Sequence, residues 1–172
     1  MRKEYLLEKI REGVLKGKGL TMEDALSFFA FETWSEVLKL ASAANSIREK
    51  FAGTGIHLCS ILNARSGRCP EDCAFCAQSS HYSTGCRTYP LLSVPEIFKA
   101  ARQVERSGVR QFCIVTSGRS LKEKEFETLL KAVRKIKAGT ALECNCSLGT
   151  LSDEMAEALA EAGVSEYNHN LE

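Results

Sequence analysis

The segment from residue 93 to residue 116, SVPEIFKAARQVERSGVRQFCIVT, contains one complete step from a helix to a strand. Ser93 and Glu96 have the spacing of a capping box, and the proline between them suits the first turn of a helix. Apolar residues recur at helical spacing after this box until Gly108 ends the helix. The apolar run of residues 109–116 then predicts a buried strand. The segment therefore predicts an α/β fold.

The same alternation continues on both sides of this segment. Further strands are predicted at residues 58–62, 141–148 and 164–170, and the helices between the later strands are expected to begin after Ser120 and Ser152. Strands that alternate with helices predict a parallel sheet with right-handed crossovers. Periodicity alone does not distinguish an open, doubly wound sheet from a barrel.

Residues 1–56 have a different pattern, with apolar residues at helical spacing and no predicted strand. Thr21 and Thr33 stand at the expected starts of a second and a third helix. We expect these helices to bury the large apolar side chains of Met22, Leu26, Phe29 and Trp34. The glycines in the run Gly53-Thr-Gly55 mark the boundary with the α/β part, residues 57–172. The expected organisation is thus an N-terminal helical extension followed by the α/β part.

The overall charge of the chain is close to neutral. Lys and Arg number 23 and Asp and Glu number 22, which gives a net charge of +1. This balance predicts no nucleic-acid partner and no anionic membrane surface as partner. No apolar run approaches the length of a transmembrane span, and no apolar signal segment opens the sequence.

Cysteine is unusually frequent, with 8 residues in a chain of 172. In a secreted protein such a number would suggest disulfides, but no signal segment is recognised. We therefore expect reduced thiols in the cytoplasm, some of them binding metal.

Three of these cysteines, Cys69, Cys73 and Cys76, are close enough in sequence to bind one metal cluster. A cluster of four irons needs four ligands, so three thiolates leave one iron open to a ligand that is not protein. The alternatives are a zinc site or a set of buried thiols. Zinc sites of this kind have paired Cys-x-x-Cys knuckles, and no second knuckle follows at that spacing.

The spacing of the three cysteines, with Phe75 directly before the last one, resembles the signature of the radical S-adenosylmethionine enzymes. Four further stretches resemble the biotin synthase family within that group. They are residues 57–69, 76–85, 146–151 and 167–172.

This resemblance implies a (βα)8 barrel of the TIM type, with its chemistry at the carboxyl ends of the strands. The four predicted strands would form the N-terminal half of that barrel. We therefore expect the chain to be truncated after the fourth strand and to be poorly active alone. The resemblance also implies that the three cysteines bind a 4Fe-4S cluster whose open iron chelates S-adenosylmethionine. In the family, the residue at Phe75 lies against the adenine, and the acidic residue at Glu172 contacts the ribose hydroxyls.

The reaction implied by the resemblance is insertion of sulfur into dethiobiotin to form biotin, by way of a 5′-deoxyadenosyl radical. In the family, the asparagines that match Asn168 and Asn170 contact dethiobiotin, and on a strand these two side chains would share one face. A solvated polar strand end is the alternative. We expect a reducing electron-donor protein as a further partner, and a homodimer is one candidate for the oligomeric state.

A second iron–sulfur cluster, of the 2Fe-2S type or a variant, is thought to donate the sulfur in this family. Cys113 matches one of its ligands, but Asn145 stands where the family has the next, between Cys144 and Cys146. Either Asn145 points into the barrel and both thiols face the helices, or the thiols point inward and join Cys113. We favour the second arrangement, because asparagine is a poor iron ligand and thiolates suit iron–sulfur sites.

Two other functions stay open. The chain could belong to another radical enzyme, such as a maturase or a mutase, or to a non-catalytic iron–sulfur or zinc-binding module. Three residues near these motifs are expected to be structural: His81 and Cys86 in loop packing, and Cys59 in the core of a strand.

Overall fold

The computed structural model describes residues 2–170 of the chain. By their contacts the residues form two compact units, Met1–Ile56 and His57–Glu172. None of the helices within residues 2–170 is both long and apolar enough to cross a membrane.

The first unit is entirely helical. Its helices are α1 (Arg2–Leu15), α2 (Met22–Ser27) and α3 (Trp34–Ala52), with one 3-10 turn at Phe28–Ala30. As predicted, Thr21 and Thr33 cap α2 and α3, each through a capping box with the acidic residue three positions later. Helices α1 and α3 pack together and are joined by an ion pair between Lys3 and Glu36 at 3.0 Å.

The apolar side chains of α2 and its neighbours are exposed, and here the sequence-based prediction was wrong. Met22 is 76% exposed, Phe29 85% and Trp34 82%. Within this unit the only well-buried apolar side chains among the described residues are those of Leu7 and Ala43, between α1 and α3. A unit of this size encloses little volume, so helical periodicity alone does not guarantee burial.

The second unit alternates strands and helices from its first strand to its last. The elements are β1 (Cys59–Arg65), α4 (Val94–Arg106), β2 (Gln111–Thr116), α5 (Glu123–Gly139), β3 (Glu143–Ser147), α6 (Asp153–Ala162) and β4 (Val164–Tyr167). All neighbouring strands are parallel and follow the order β1-β2-β3-β4. A doubly wound sheet reverses its strand order at a switch point, whereas a barrel adds strands in sequence. The fold is therefore α/β with the strand order of half a (βα)8 barrel.

Most of the predicted helix starts and ends in this unit are confirmed. Ser93 forms its capping box with Glu96, Ser152 caps α6, and Gly163 ends α6 in the left-handed conformation with φ +100°. The start of α5 was predicted wrongly. Lys122, not Ser120, precedes its first turn, and the amide of Lys122 donates to Glu125 Oε2 at 3.1 Å.

The hydrophobic core lies between the sheet and helices α4, α5 and α6. Phe112 and Ile114 of β2 pack there against helix residues such as Ile97, Leu129 and Ile136, all of them buried. The opposite side, here called the inner face, is the side of the sheet turned away from these helices. Its central row, in register across the four strands, consists of Ile61, Cys113, Asn145 and Glu166.

Candidate functional site

Cys69, Cys73 and Cys76 lie on the loop between β1 and α4, directly after the carboxyl end of β1. All three are partly exposed, and none of the eight cysteines forms a disulfide. The loop turns at Cys73, whose carbonyl accepts a bond from the amide of Cys76 at 2.9 Å. It then returns, so that the amide of Cys69 donates to the carbonyl of Gln78 at 3.0 Å. The three predicted cluster ligands thus lie on one segment of this loop, close in sequence to the end of β1.

Gln78 fixes the base of this loop through its side chain. Its Oε1 accepts from the amide of Gly67 at 2.6 Å and from the hydroxyl of Ser66 at 3.0 Å. Gly67 has φ +74°, and a methyl group there would lie 2.5 Å from Thr88 Oγ1. The loop can leave β1 along this path because Gly67 has no side chain.

Three consecutive carbonyl groups at the start of the loop are also bonded by side chains that follow the last cysteine. The bonds are Ser80 Oγ to the carbonyl of Cys69 at 2.9 Å, His81 Nε2 to that of Pro70 at 2.9 Å, and Ser79 Oγ to that of Glu71 at 2.7 Å. These contacts confirm the predicted packing role of His81. Serine side chains that bond to nearby backbone are common in loops, and this is the signal that could have found Ser79 and Ser80.

Two further contacts connect the loop with its surroundings. Tyr82 donates its hydroxyl proton to Asp72 Oδ1 at 2.6 Å, and this bond raises the pKa of Tyr82. Arg119, on the loop after β2, lies 3.9 Å from Glu71. Glu71 and Asp72 stand between Cys69 and Cys73. Both contacts therefore hold the segment between the first two cysteines of the triad.

Arg119 also connects to the loop after β3. Its carbonyl accepts a bond from the amide of Thr150 at 2.7 Å. Gly149 has φ +90°, and a methyl group on it would overlap that same carbonyl. The loops that follow β1, β2 and β3 are therefore in direct contact at the carboxyl end of the sheet.

The donor set of the β1–α4 loop fits an iron–sulfur cluster. Within residues 2–170, no three His, Cys, Asp or Glu side chains are arranged to hold a single metal ion. The thiolates of a cubane bind different iron atoms, so they lie further apart than the ligands of one ion. Three reduced, partly exposed thiols on a braced loop are the ligands that such a cluster takes.

Phe75, between the second and third cysteines, is 77% exposed. Its ring is therefore free to contact a flat ligand such as adenine. Glu172, the predicted ribose contact, lies outside the described residues.

The predicted substrate residues follow β4. The strand ends at Tyr167, three residues earlier than predicted, although the amide of Asn168 still donates to the carbonyl of Cys146 at 2.9 Å. Asn168 and Asn170 are both exposed. Since side chains alternate along a strand, Asn168 lies on the side of Glu166, on the inner face.

The favoured arrangement of the cysteines on β3 is wrong. Cys144 and Cys146 are fully buried in the core against the helices, whereas Asn145 lies on the inner face in register with Cys113. The sheet therefore separates Cys113 from the two thiols that were expected to join it. Alternation allowed both arrangements, and the apolar surfaces of α5 and α6 take the two cysteines as small hydrophobic residues.

The ionisation of these thiols follows their surroundings. A hydrogen bond with Cys144, together with burial, raises the pKa of Cys146. Burial and the nearby thiols of Cys59 and Cys144 raise the pKa of Cys113 to about 11. Cys59 itself is exposed at the start of β1, so the prediction that it lies in a strand core was wrong.

Comparison with known protein families gives a match over residues 64–172, to the model of the radical SAM superfamily. Among curated proteins, the biotin synthase of Clostridium acetobutylicum is 46% identical over 165 residues, which are 95% of this chain and 50% of that protein. The biotin synthase of Geobacter metallireducens is 41% identical over 167 residues, which are 96% of this chain and 50% of that protein. The chain thus spans about half the length of the curated relatives it matches.

Two solved structures have the same fold. HydG, a maturase of the FeFe-hydrogenase, aligns with a TM-score of 0.77 and 18% identity, over 95% of this chain and 36% of that one. Methylornithine synthase aligns with a TM-score of 0.76 and 19% identity, over 91% of this chain and 45% of that one. At these identities the likeness concerns the fold alone.

Proposed function

The chain belongs to the radical SAM superfamily, and on that premise we propose that it supplies the radical-generating half of a biotin synthase-type enzyme that inserts sulfur into dethiobiotin. The observation that carries the proposal is the β1–α4 loop, with three partly exposed thiols at the carboxyl end of β1. The identity of 41–46% to biotin synthases supports the choice of reaction.

In this proposal Cys69, Cys73 and Cys76 hold the 4Fe-4S cluster and leave one iron open for S-adenosylmethionine. When bound, the cluster and S-adenosylmethionine would supply radical chemistry able to break C–H bonds that acid–base chemistry does not reach. The protein's part is to position the ligands and exclude water. The bonds from Ser79, Ser80 and His81 to three successive carbonyls keep the loop in one conformation.

The remaining site residues have roles in binding. Phe75 contacts the adenine with its exposed ring, and Glu172 accepts hydrogen bonds from the ribose hydroxyls. Asn168 and Asn170 have amides that match the donors and acceptors of the ureido ring of dethiobiotin. A reducing protein delivers the electron, and the partly exposed loop gives it access to the cluster. Reduced thiols throughout the chain favour the cytoplasm.

Anaerobic reconstitution with iron and sulfide tests the radical SAM assignment. We expect a reducible cluster whose EPR signal changes when S-adenosylmethionine is added. Cys69→Ala should lose both the cluster and this response, whereas Cys86→Ala, which changes a cysteine on the same loop outside the triad, should keep both. A colourless protein that holds zinc instead would contradict the proposal and favour a non-catalytic module.

A second candidate is a radical SAM enzyme that does not insert sulfur, such as a maturase or a mutase. It is favoured by Asn145, an amide at the position where biotin synthases have a ligand of the sulfur-donating cluster. Addition of dethiobiotin separates the two. If dethiobiotin changes the EPR signal of the cluster in the presence of S-adenosylmethionine, and this change is lost in Asn168→Ala and Asn170→Ala, the first candidate is supported. If dethiobiotin leaves the signal unchanged, the second candidate is supported.

A further inference from the structure

A cleft of about 660 Å³ lies at the carboxyl ends of β1 and β2, between the two ends of the β1–α4 loop and the loop after β2. Four basic residues line it, Arg65, Arg68, Arg119 and Lys122, but only one acidic residue does so, Glu125. We call this site the basic cleft. Its excess of positive charge favours an anionic ligand.

One cation of the basic cleft is already paired. Arg65 Nη1 binds Glu125 Oε2 at 2.7 Å, and Arg65 Nε donates to the carbonyl of Ser117 at 2.8 Å. Glu125 belongs to α5, one of the helices that pack on the core side of the sheet. This wall of the basic cleft therefore lies on the helix side of the strands, opposite to the inner face that carries Asn168.

The other three cations are available to a ligand. Arg68 and Lys122 are exposed, and neither side chain forms an ion pair with any residue that the structure describes. The side chain of Arg119 is 70% exposed, and its ion-pair contact is the one with Glu71 at 3.9 Å. Three positive charges around one cleft repel each other, and a bound anion relieves that repulsion.

Arg68 has a backbone conformation that disfavours a side chain. Its φ is +55°, and within residues 2–170 no other residue except glycine has a positive φ. Glycine or asparagine would fit this turn at a lower cost, because a larger side chain crowds the following carbonyl. An arginine held in such a conformation indicates that its side chain is used, since strain of this kind is concentrated at ligand sites.

The rest of the lining indicates the size and nature of the ligand. Pro70 and Pro90 are exposed, and Tyr89 between them and the strand has its hydroxyl fixed by a bond to the carbonyl of Asn63 at 2.8 Å. These rings offer apolar surface beside the cations. The volume of the basic cleft exceeds that of a phosphate ion and is within the range of roughly 300–1,000 Å³ found for sites of small organic molecules.

We propose that the basic cleft binds the phosphate group of a small phosphorylated organic molecule, with Arg68, Arg119 and Lys122 as the groups that contact the phosphate. The planar fork of arginine matches two phosphate oxygens at once, and lysine adds a point charge. The organic part of the ligand packs against the rings of Pro70 and Tyr89. This site goes beyond the proposed function, because none of these contacts involves the cluster or the substrate residues.

Phenyl phosphate tests the site on the metal-free full chain, by calorimetry and phosphorus NMR. We expect about one equivalent to bind, roughly tenfold more tightly than inorganic phosphate, because the phenyl ring gains contact with the apolar wall. Phenol, which lacks the phosphate, should show no measurable binding. No binding of phenyl phosphate by the unchanged chain would overturn the proposal.

Arg68→Gly is the decisive variant, because it removes the guanidinium and suits the positive φ, so that it should fold at least as well as the unchanged chain. It should weaken the binding of phenyl phosphate by about tenfold or more, since charge-assisted hydrogen bonds are lost. Arg68→Lys keeps the charge without the fork and should have a smaller effect.

Arg119→Ala gives an independent check and should also weaken binding. The matched control is Arg134→Ala, which removes an exposed arginine of α5 away from the basic cleft and should bind phenyl phosphate as before. Circular dichroism checks that each variant is folded. Binding at full strength in Arg68→Gly would overturn the proposal.

Two further ligands separate the proposal from its alternatives. Benzoate carries a carboxylate on the same ring, and binding as tight as that of phenyl phosphate would contradict the choice of phosphate. S-adenosylmethionine contains no phosphate, and if it displaced phenyl phosphate from the reconstituted chain, the basic cleft would belong to the site already described. Loss of the EPR response to S-adenosylmethionine, with the binding of phenyl phosphate intact, would count against the proposed function alone.

Discussion

The β1–α4 loop and strand β3 both carry cysteines close together in sequence, yet they place them in opposite surroundings. The thiols of the loop are partly exposed, and the backbone around them is held by polar side chains. Those of Cys144 and Cys146 are sealed between the sheet and the helices. A thiol serves as a metal ligand when it can ionise and be reached, and otherwise it packs as a small apolar group. Spacing in sequence therefore proposes a ligand set, and the surroundings decide whether it is one.

The largest contrast between the two regions should appear in iron content. Cys76→Ala should remove the reconstituted 4Fe-4S cluster completely, because two thiolates and solvent do not hold it. Cys144→Ala should leave its iron content unchanged, since this thiol faces the helices. Iron and sulfide analysis after anaerobic gel filtration measures both. Loss of the triad cluster in Cys144→Ala would remove the distinction between the regions.

The contrast should reverse when stability is measured. Cys146→Ser places a hydroxyl in the apolar core and should lower the free energy of unfolding by about 2 kcal/mol. Cys76→Ser, in the exposed loop of the metal-free chain, should change it by less than about 0.5 kcal/mol. Urea unfolding of the two metal-free variants gives the comparison, and equal effects would contradict it.

The polar bracing of the loop predicts a smaller effect. Gln78→Ala removes the acceptor for the amide of Gly67 and the hydroxyl of Ser66. It should lower the free energy of unfolding by about 1 kcal/mol. The cluster should still form but should lose iron to a chelator several times faster than in the unchanged chain. Gln111→Ala, which changes an amide on β2 away from the loop, is the matched control. Equal rates of iron loss would show that the loop does not depend on Gln78.

The smallest effect concerns Cys113, between the two extremes. Its pKa is raised to about 11 in the folded chain, from about 8.5 for a free thiol. The fold favours the neutral thiol, so its contribution to stability is complete below pH 8.5 or so and is lost as the pH rises toward about 11. Between pH 8 and pH 10.5 this shift would amount to about 2 kcal/mol without screening. Solvent on the open inner face reduces it, so metal-free Cys113→Ala should lose roughly 1 kcal/mol less stability than the unchanged chain. Parallel losses in the two proteins would contradict the raised pKa.

Much of the second unit could be predicted from the sequence, because the residues that start and end its helices act through contacts with near neighbours in the chain. Gly108 and Gly163 end helices wherever the chain needs φ above zero, and Ser93 caps α4 through contacts within four residues. The start of α5 was missed: the backbone carbonyl of Ser120 accepts a bond from Arg65 at 3.2 Å, and the helix begins only after Lys122. That contact joins residues far apart in sequence, which no local pattern reports.

The candidate site could be proposed from the sequence as far as residue types indicate it. The triad and Phe75 follow from spacing and resemblance, whereas the faces of Cys144, Asn145 and Cys146 depend on which side of β3 the helices cover. Period two gives two equivalent solutions, and only packing chooses between them. The predicted burial of Met22 and Trp34 was wrong for a related reason. A periodic apolar face is buried only when another surface packs against it.

The contact between Gly149 and Arg119 has a mechanical consequence. Arg119 contacts Glu71 on the loop of the triad through its side chain and Thr150 through its carbonyl. A displacement of any one of the three loops therefore pushes or pulls on the other two, so that they transmit force as linked parts. A side chain at position 149 would push the backbone of Arg119 away. Through the contact of Arg119 with Glu71, that shift would reach the loop that carries the three cysteines.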